Sequence, residues 1–529
     1  MKIANLAQRF IDNVRKHPDK LAFVIPKGID SLETYHEINL TYQDFYNEVS
    51  KYRNGLIESG YQRGDRIIIL APISEKTYAF MLAVFSLGMV CVFLDPGIGL
   101  KKILNAISDS GAKAIVSIDK LLKYHYFIPQ LWFKKKYSAD RTRLGVRSFD
   151  DLYSSKVCEI EALELEENDH ALITFTSGST GRSKGSDRNI KNVTEQIKSI
   201  EKNWNCHEDI IDFPSFPMFG FMNLLCGITT VVPAVDFAKI ADYNPDVVIH
   251  QMTKWKVNRM CGSFAFNKKL VDNLKQREIQ ISTLTNLAFG GCPVTKEFCA
   301  DLDKVYPNAK CEIIYGSTEV APISTAEVNE MLNSKGQGFL VGRPYDGVEV
   351  AIVKLPKIIS EFDKNEAKPY SVETGDVGEV IIKGAHVVQT YVDNPKATKE
   401  NKILSPDGQR WHRTGDCGRI DDQGRLWLVG RVKDIIQFEG NEFHPYPIEE
   451  SLDELEAISR SALIQDKAEI KVFIETKIFD NIDHVKKVIT EKVSSFGIRE
   501  FNIIQIDKIP VDDRHNSKIN RVKLRETHA

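Results

Sequence analysis

The strongest local constraint in this chain is the stretch Thr174-Phe175-Thr176-Ser177-Gly178-Ser179-Thr180-Gly181-Arg182-Ser183-Lys184-Gly185. An apolar segment, Ala171–Phe175, leads into it as a predicted strand. Downstream, Ile190, Val193, Ile197, Ile200 and Trp204 fall on one face of a predicted helix, with Asn189 as its N-cap. Glycines let backbone N–H groups approach an anion closely and adopt positive φ. Hydroxyls donate to phosphate oxygens, and Lys184 adds charge. The spacing differs from a Walker A loop: two residues separate Gly181 from Lys184, and no Ser or Thr follows the lysine. A phosphate-holding loop between a strand and a helix constrains the chain toward layered α/β architecture.

The surrounding pattern agrees. Arg66–Ala71, Ala114–Ile118, Ile228–Pro233 and Leu284–Phe289 read as short buried strands, alternating with helical patterns such as Lys101–Ser110. Tyr78 to Leu94 runs without a charge. It is shorter than the ~20 residues a membrane helix needs, and Gly88 divides it. It is expected as a buried helix followed by the strand Val90–Leu94. Met1 to Lys20 contains Arg9, Asp12, Arg15 and Lys16, unlike a signal peptide, and puts Leu6, Phe10, Ile11 and Val14 on one helical face. Residues 358–374 are charged and read as an exposed loop or extended hairpin. Beyond Gly430 shorter strands and a helix near residues 482–494 suggest a small α+β module. The expected division is therefore 1–433 and 434–529. Net charge is −3 over 529 residues, which offers no basic field for nucleic acid. Nine scattered cysteines without a C-x-x-C pair suggest reduced thiols and a cytoplasmic setting.

Thr176 to Gly185 resembles the phosphate loop of the AMP-forming adenylating enzymes, which include acyl-CoA synthetases, peptide-synthetase adenylation domains and luciferases. Further segments resemble that superfamily in the same order. They are Leu40-Thr41-Tyr42, Gly64-Asp65-Arg66, Tyr315-Gly316-Ser317-Thr318-Glu319, Arg413-Thr414-Gly415-Asp416, Gly430-Arg431-x-Lys433-Asp434 and Lys518 near the end. The resemblance implies a large domain of layered α/β/α/β/α sheets with a small β-barrel, and a small mobile α+β domain hinged at Lys433-Asp434. It implies ATP and Mg²⁺ as cofactors, with CoA as a further co-substrate in some members. By the same resemblance, Thr176, Ser177, Gly178, Ser179, Thr180, Gly181 and Lys184 hold the β- and γ-phosphates. Gly290 and Gly291 admit main chain to the adenine edge, and Tyr315 offers it a face. Gly316 and Ser317 belong to the same motif. Thr318 donates to the α-phosphate, Glu319 is the Mg²⁺ ligand, Asp416 takes the ribose hydroxyls and Arg431 meets ribose or phosphate. Lys518 bridges the acyl carboxylate and α-phosphate.

Departures from the pattern bear on the acid. Ser186-Asp187-Arg188-Asn189 is short and lacks the usual histidine, and Gly220 stands where many members carry one. No aspartate is placed to hold an amino-acid amine. Phe219, Phe221, Met222, Met260, Gly262 and Cys292 are the candidate acyl-pocket residues, and Phe264 belongs to the same apolar set. Core packing is an equal reading of these side chains. Within the superfamily the chain resembles the β-lactone synthetases of bacterial olefin biosynthesis. The matching pieces are Met218-Phe219 through Gly227-Ile228-Thr229-Thr230-Val231-Val232-Pro233, Met260-Cys261-Gly262-Ser263, Gly290-Gly291-Cys292-Pro293-Val294 and Val511-Asp512-x-Arg514-His515-Asn516-x-Lys518-Ile519. Three outcomes follow. The acyl-AMP of a fatty or 3-hydroxy fatty acid passes to CoA or a carrier thiol; its own 3-hydroxyl closes a β-lactone, with His515 as a possible base; or the fold binds nucleotide and acid without catalysis. Nucleic acid and a transmembrane segment are not expected.

Overall fold

The computed structural model describes every residue except 1, 4, 95, 177–182, 205, 357–358, 364–369, 371, 478–481, 512–517 and 529. Two sheets organise the chain up to Arg431. One has eight strands. At its centre Val90–Leu94, Arg66–Leu70, Ala114–Ser117 and Lys135–Ser138 run parallel. The other has fourteen strands. It includes the parallel set Leu21–Lys27, Thr229–Val231, Ile211–Asp212, Arg259–Ser263, Asn286–Gly290 and Lys310–Tyr315.

Strand alternation decides which residue faces which core. Ile67 and Ile69 face a central cluster, and Ile68 faces an outer one with Ile103 and Ile107 of the helix Leu100–Asp109. Phe23 and Ile25 face the same central cluster from the other sheet, while Val24 turns to a second outer cluster with Met252, Leu270 and Leu302. The central layer is filled by Leu6–Lys16, Tyr42–Glu58, Glu75–Ser86, Ile190–Asn203 and Pro217–Leu225. The layers therefore run α/β/α/β/α. Phe10 is fully buried in the first of these helices, a burial that stabilises by about 2–3 kcal/mol.

The charge-free run resolves as expected. Helix Glu75–Ser86 ends at Leu87, Gly88 takes φ 62°, and Val90–Leu94 follows as a strand. Among the described residues no helix is long and apolar enough to cross a membrane. No disulfide joins the cysteines. The part expected as a small barrel is built of antiparallel strands Phe339–Pro344, Leu426–Arg431, Arg410–Ile420, Gly378–Lys383 and Glu349–Val353, joined to the larger sheet. Of the stretch expected as an exposed loop, Phe362 is buried, its ring edge-on to Trp411 at 5.6 Å.

Beyond Asp434 the chain has an apolar core of its own, with Ile436, Leu452, Val472 and Val493. It contains the three strands Ile458–Asp466, Glu469–Thr476 and Asn502–Gln505 and the helices Pro445–Asp453, Ile482–Ser495 and Arg521–Thr527. This unit meets the rest where Gly338 N donates to Glu450 Oε2 at 3.0 Å and where Phe339 and Tyr446 meet edge-on at 5.3 Å.

Candidate active site

The loop expected to bind phosphate is a hairpin connection. Strand His170–Thr176 is followed by an antiparallel strand, Lys184–Asn189, before the helix Ile190–Asn203 begins. This corrects the expected strand–loop–helix order. Thr176 ends the first strand; Ser177, Gly178, Ser179, Thr180 and Gly181 lie outside the described residues. Gly185 pairs with Phe175 across the hairpin, and a Cβ on it would sit 2.7 Å from the Phe175 ring. Only glycine permits that contact without a shift. Asn189 caps the helix as expected, accepting from Asn192 N at 2.8 Å.

Gly290 and Tyr315 end neighbouring parallel strands at one carboxyl edge, where open α/β sheets place their ligands. A Cβ on Gly290 would lie 2.1 Å from the Ile314 carbonyl, so the strand pairing itself demands glycine. Gly291 follows at φ 93°. The Tyr315 hydroxyl donates to Asp416 Oδ2 at 2.6 Å, and Arg431 pairs with Asp416 Oδ1 at 3.0 Å. The register explains this convergence, because Asp416 and Arg431 are directly opposed on adjacent strands. Thr414 Oγ1 accepts from Asp416 N at 3.0 Å and donates to the Val380 carbonyl at 2.8 Å, with Gly415 at φ 70° between them. Arg413 is absorbed structurally, gripping Glu379 through Nε and Nη2. The Asp416 charge pushes Arg431 above its ordinary value. Burial, then Asp416, does the same to Tyr315. Each Asp416 oxygen retains a lone pair, which leaves two acceptor positions for a diol.

Thr318 and Glu319 lie in a tight turn in which Ser317 N bonds to the Val320 carbonyl at 2.7 Å. Gly316 is exposed. Ser317 Oγ is buried without a hydrogen-bond partner among the described residues. Around Glu319 the fold gathers groups that the motifs did not announce. Tyr391 donates to Glu319 Oε1 at 3.1 Å. Arg188 donates to the Thr318 carbonyl and, at 3.0 Å, to Thr174 Oγ1. Lys184 and Lys402 lie over the Tyr391 ring, 5.6 and 5.4 Å from its centroid. Lys402 is 3% exposed and its Nζ has no hydrogen-bond partner among the described residues. Burial lowers it to about 7, against the pull of Glu319. Burial and then Lys402 push His412 down to about 3, so it is neutral at pH 7. Burial alone would raise the Glu319 carboxyl, but facing positive charge, Lys402 included, and the hydrogen bond from Tyr391 hold it below the ordinary value. The result is an ionised carboxylate ringed by Lys184, Arg188 and Lys402. The Glu319 oxygens suit a hard cation that takes one or two protein carboxylates and completes its shell with phosphates and water.

The apolar candidates divide between cores. Phe219 is half-buried and stacks on Trp204 at 5.0 Å. Phe216, at the start of the same helix, sits beside Gly291, 3.9 Å from the position of a Cβ there. Cys292 follows, half-buried. Phe221 packs on Phe85 at 5.2 Å and joins the central core with Met222. Met260 faces the outer cluster, because it is Cys261 that alternation turns toward the centre. Phe264 packs against that outer cluster as well. Gly262 is packed shut: a Cβ would meet Ser215 Oγ at 2.5 Å. At Gly220 a Cβ would lie 2.8 Å from the Tyr78 hydroxyl, which donates to the Pro217 carbonyl. That contact leaves no room for a larger side chain there without a shift.

At the far end Lys433 is exposed and Asp434 is buried, paired with Arg525 at 3.2 Å. Lys518 is exposed, next to the bridge between Val511 and Ile519. His515 lies outside the described residues.

A family model described as AMP-binding enzyme matches residues 10–392. Over 551 residues the chain is 26% identical to the olefin beta-lactone synthetase of Stenotrophomonas maltophilia (strain K279a), covering 98% of this chain and 97% of that protein. It is 25% identical over 548 residues to 4-coumarate–CoA ligase 1 of Petroselinum crispum, covering 97% and 92%. Among solved structures it is similar to O-succinylbenzoate coenzyme A synthetase from Bacillus subtilis in complex with ATP and magnesium ion. The TM-score there is 0.77 at 18% identity, covering 99% of this chain and 100% of that one. The layered α/β architecture expected from the motif series is that of these structures. With this match over most of its length, the chain belongs to the AMP-binding enzyme family, and it is an ATP-using ligase that activates a carboxylic acid as its adenylate.

Proposed function

We propose that the acid is a fatty or 3-hydroxy fatty acid and that its adenylate passes to the thiol of CoA or an acyl carrier. The observation that supports the assignment of roles is the convergence of Tyr315, Arg431 and Asp416 at one strand edge. Asp416 takes the ribose hydroxyls, Tyr315 lies against adenine, and Thr318 donates to the α-phosphate. Thr176 to Gly181 and Lys184 hold the β- and γ-phosphates. Glu319 would hold Mg²⁺, which when bound neutralises phosphate charge. A carboxylate oxygen attacks the α-phosphorus, the bond to the bridging oxygen breaks, and pyrophosphate leaves. Catalysis here is positioning and neutralisation of anions. Residues 434–529 turn about Lys433-Asp434 between the two half-reactions, since hinges need only a few residues that absorb φ/ψ change. The half-buried Phe219, beside Trp204 and close to Phe216, receives the alkyl chain.

A second reading concerns the acceptor. The likeness to the olefin beta-lactone synthetase spans nearly both whole chains, which favours closure by the acid's own 3-hydroxyl. In that step the hydroxyl oxygen attacks the acyl carbonyl, its proton goes to a base, and AMP leaves. The deciding experiment supplies ATP with plain and 3-hydroxy fatty acids, with and without CoA, and reads AMP and the acyl product. AMP formed only with CoA rejects closure, AMP and a lactone formed without CoA reject the thiol step, and ADP rejects adenylation. For Lys518→Ala we expect acyl-adenylate formation to fall by about 100-fold or more, with ATP binding kept within about twofold. Near-normal pyrophosphate exchange in that variant would remove Lys518 from the mechanism.

A further inference from the structure

Six of the fourteen large hydrophobic side chains exposed among the described residues fall within one short stretch: Tyr124, Tyr126, Phe127, Trp132, Phe133 and Leu144. Phe127 is 84% exposed, Leu144 86% and Phe133 97%. Folding does not require this display. The same stretch is already anchored through Leu122, Ile128, Leu131 and Val146, which are buried in the outer core of the eight-stranded sheet. The exposed rings are held in place: Trp132 Nε1 donates to the Tyr126 carbonyl at 3.0 Å, and the Tyr126 hydroxyl to the Leu144 carbonyl at 3.2 Å.

Charge gathers at the same place. Residues 119–147 carry eight lysines and arginines against two aspartates, a net +6 in a chain whose total is −3. The remainder therefore carries −9. Lys134, Arg143, Leu144 and Arg147 line a cleft of about 390 Å³ within the patch. One aspartate, Asp119, is already paired with Arg143. Lys120, Lys123, Lys135, Arg141 and Arg147 are exposed.

We propose that this face docks on an anionic lipid bilayer. Phe127, Trp132, Phe133 and Leu144 enter the interface between headgroups and chains, and the surrounding cations meet lipid phosphates. Aromatic side chains settle at that interface, and basic clusters beside apolar ones bind anionic leaflets. The alternative of a patch simply left bare conflicts with how seldom a folded protein exposes such rings together. The patch lies at the edge of the eight-stranded sheet formed by Lys135–Ser138 and Arg147–Ser148. The hairpin that holds the phosphate loop lies toward the opposite edge, so docking leaves the candidate active site open.

The test is flotation of the whole protein with vesicles of phosphatidylcholine alone and with about a quarter phosphatidylglycerol. The protein should float with the anionic vesicles only, and release as salt rises from about 0.1 to 1 M, where screening shortens from ~10 to ~3 Å. Arg141→Gln with Arg147→Gln should weaken partitioning about thirtyfold, from ~1 kcal/mol per cation. Phe127→Ser with Phe133→Ser should weaken it at least about tenfold. Both pairs are exposed, so the thermal melting curve should not move. Wild-type protein that stays at the bottom with both vesicle types overturns the proposal, as does flotation that neither pair changes. A dimer in sedimentation that Phe127→Ser with Phe133→Ser dissolves also overturns it, assigning the face to a second copy.

Discussion

Lys402 shows how a single buried side chain can set the pH response of a site. Its folded value of about 7 lies well below the ordinary 10.5. Between those limits the unfolded chain binds a proton that the folded chain does not, so stability rises as pH rises through this window. Lys402→Met should flatten that rise and raise the melting temperature near pH 7; a variant curve parallel to wild type from pH 7 to 10 would contradict the assignment. At Tyr315 the expectation is different. Tyr315→Phe removes a charge-assisted bond of 2.6 Å to Asp416. It should weaken ATP binding by about 1–2 kcal/mol, roughly five- to thirtyfold, without unfolding the protein. Calorimetric titration checks this, and unchanged affinity would separate Tyr315 from the nucleotide. Residues such as Glu319, Asp416 and Tyr315 were legible because short motifs name them. Lys402, His412 and Arg188 were not, because nothing local distinguishes a cation that folding will bury. Their chemistry comes from being brought beside Glu319, across more than eighty positions for Lys402 and His412 and more than a hundred for Arg188.

At the scale of elements, the strands and helices that the sequence pattern named lie within a few residues of those observed, including the helix capped by Asn189. It missed the strand Lys184–Asn189. Its sequence, K-G-S-D-R-N, lacks the β-branched and aromatic residues that mark strands. It forms because it is paired on both sides, with His170–Thr176 and with Thr390–Tyr391. The pairing depends on Gly185 lying under the Phe175 ring. Gly185→Ala should cost about 1–3 kcal/mol by overpacking. Combining it with Phe175→Leu should recover part of that cost, because the smaller side chain vacates the space. Denaturant unfolding of the two single variants and the double variant measures the coupling, and strict additivity would show that the two residues do not meet.

For the whole molecule, the small C-terminal unit is held by its own buried ion pair. Arg521 in the last helix bonds Glu449, which burial pushes above its ordinary value, and Glu449 also accepts from Leu463 N at 2.7 Å. Arg521→Met strips this buried carboxylate of its cation, a loss that costs about 3–5 kcal/mol. The destabilisation should appear first in residues 436–528, because their apolar cores are separate from those of the larger part. Hydrogen exchange resolved by peptide distinguishes this from global loosening; equal acceleration across the chain would mean that the two parts unfold as one. The boundary expected near residue 433 rests on a change of composition and motif. The display of rings at 124–144 was not, because helical or strand periodicity cannot say which apolar residues a finished core leaves over.

The capped helix after the phosphate hairpin has one last consequence. Its first N–H groups are already spent: Ile190 N on the Asp169 carbonyl at 2.9 Å, Lys191 N on Glu167 at 3.1 Å and Asn192 N on the Asn189 side chain at 2.8 Å. A helix end so occupied has no donors to lend an incoming anion, although such ends are a common place for phosphates. An anion held near this hairpin would therefore have to find its donors elsewhere than on this helix end, whose N–H groups are committed to keeping the helix joined to the strand before it.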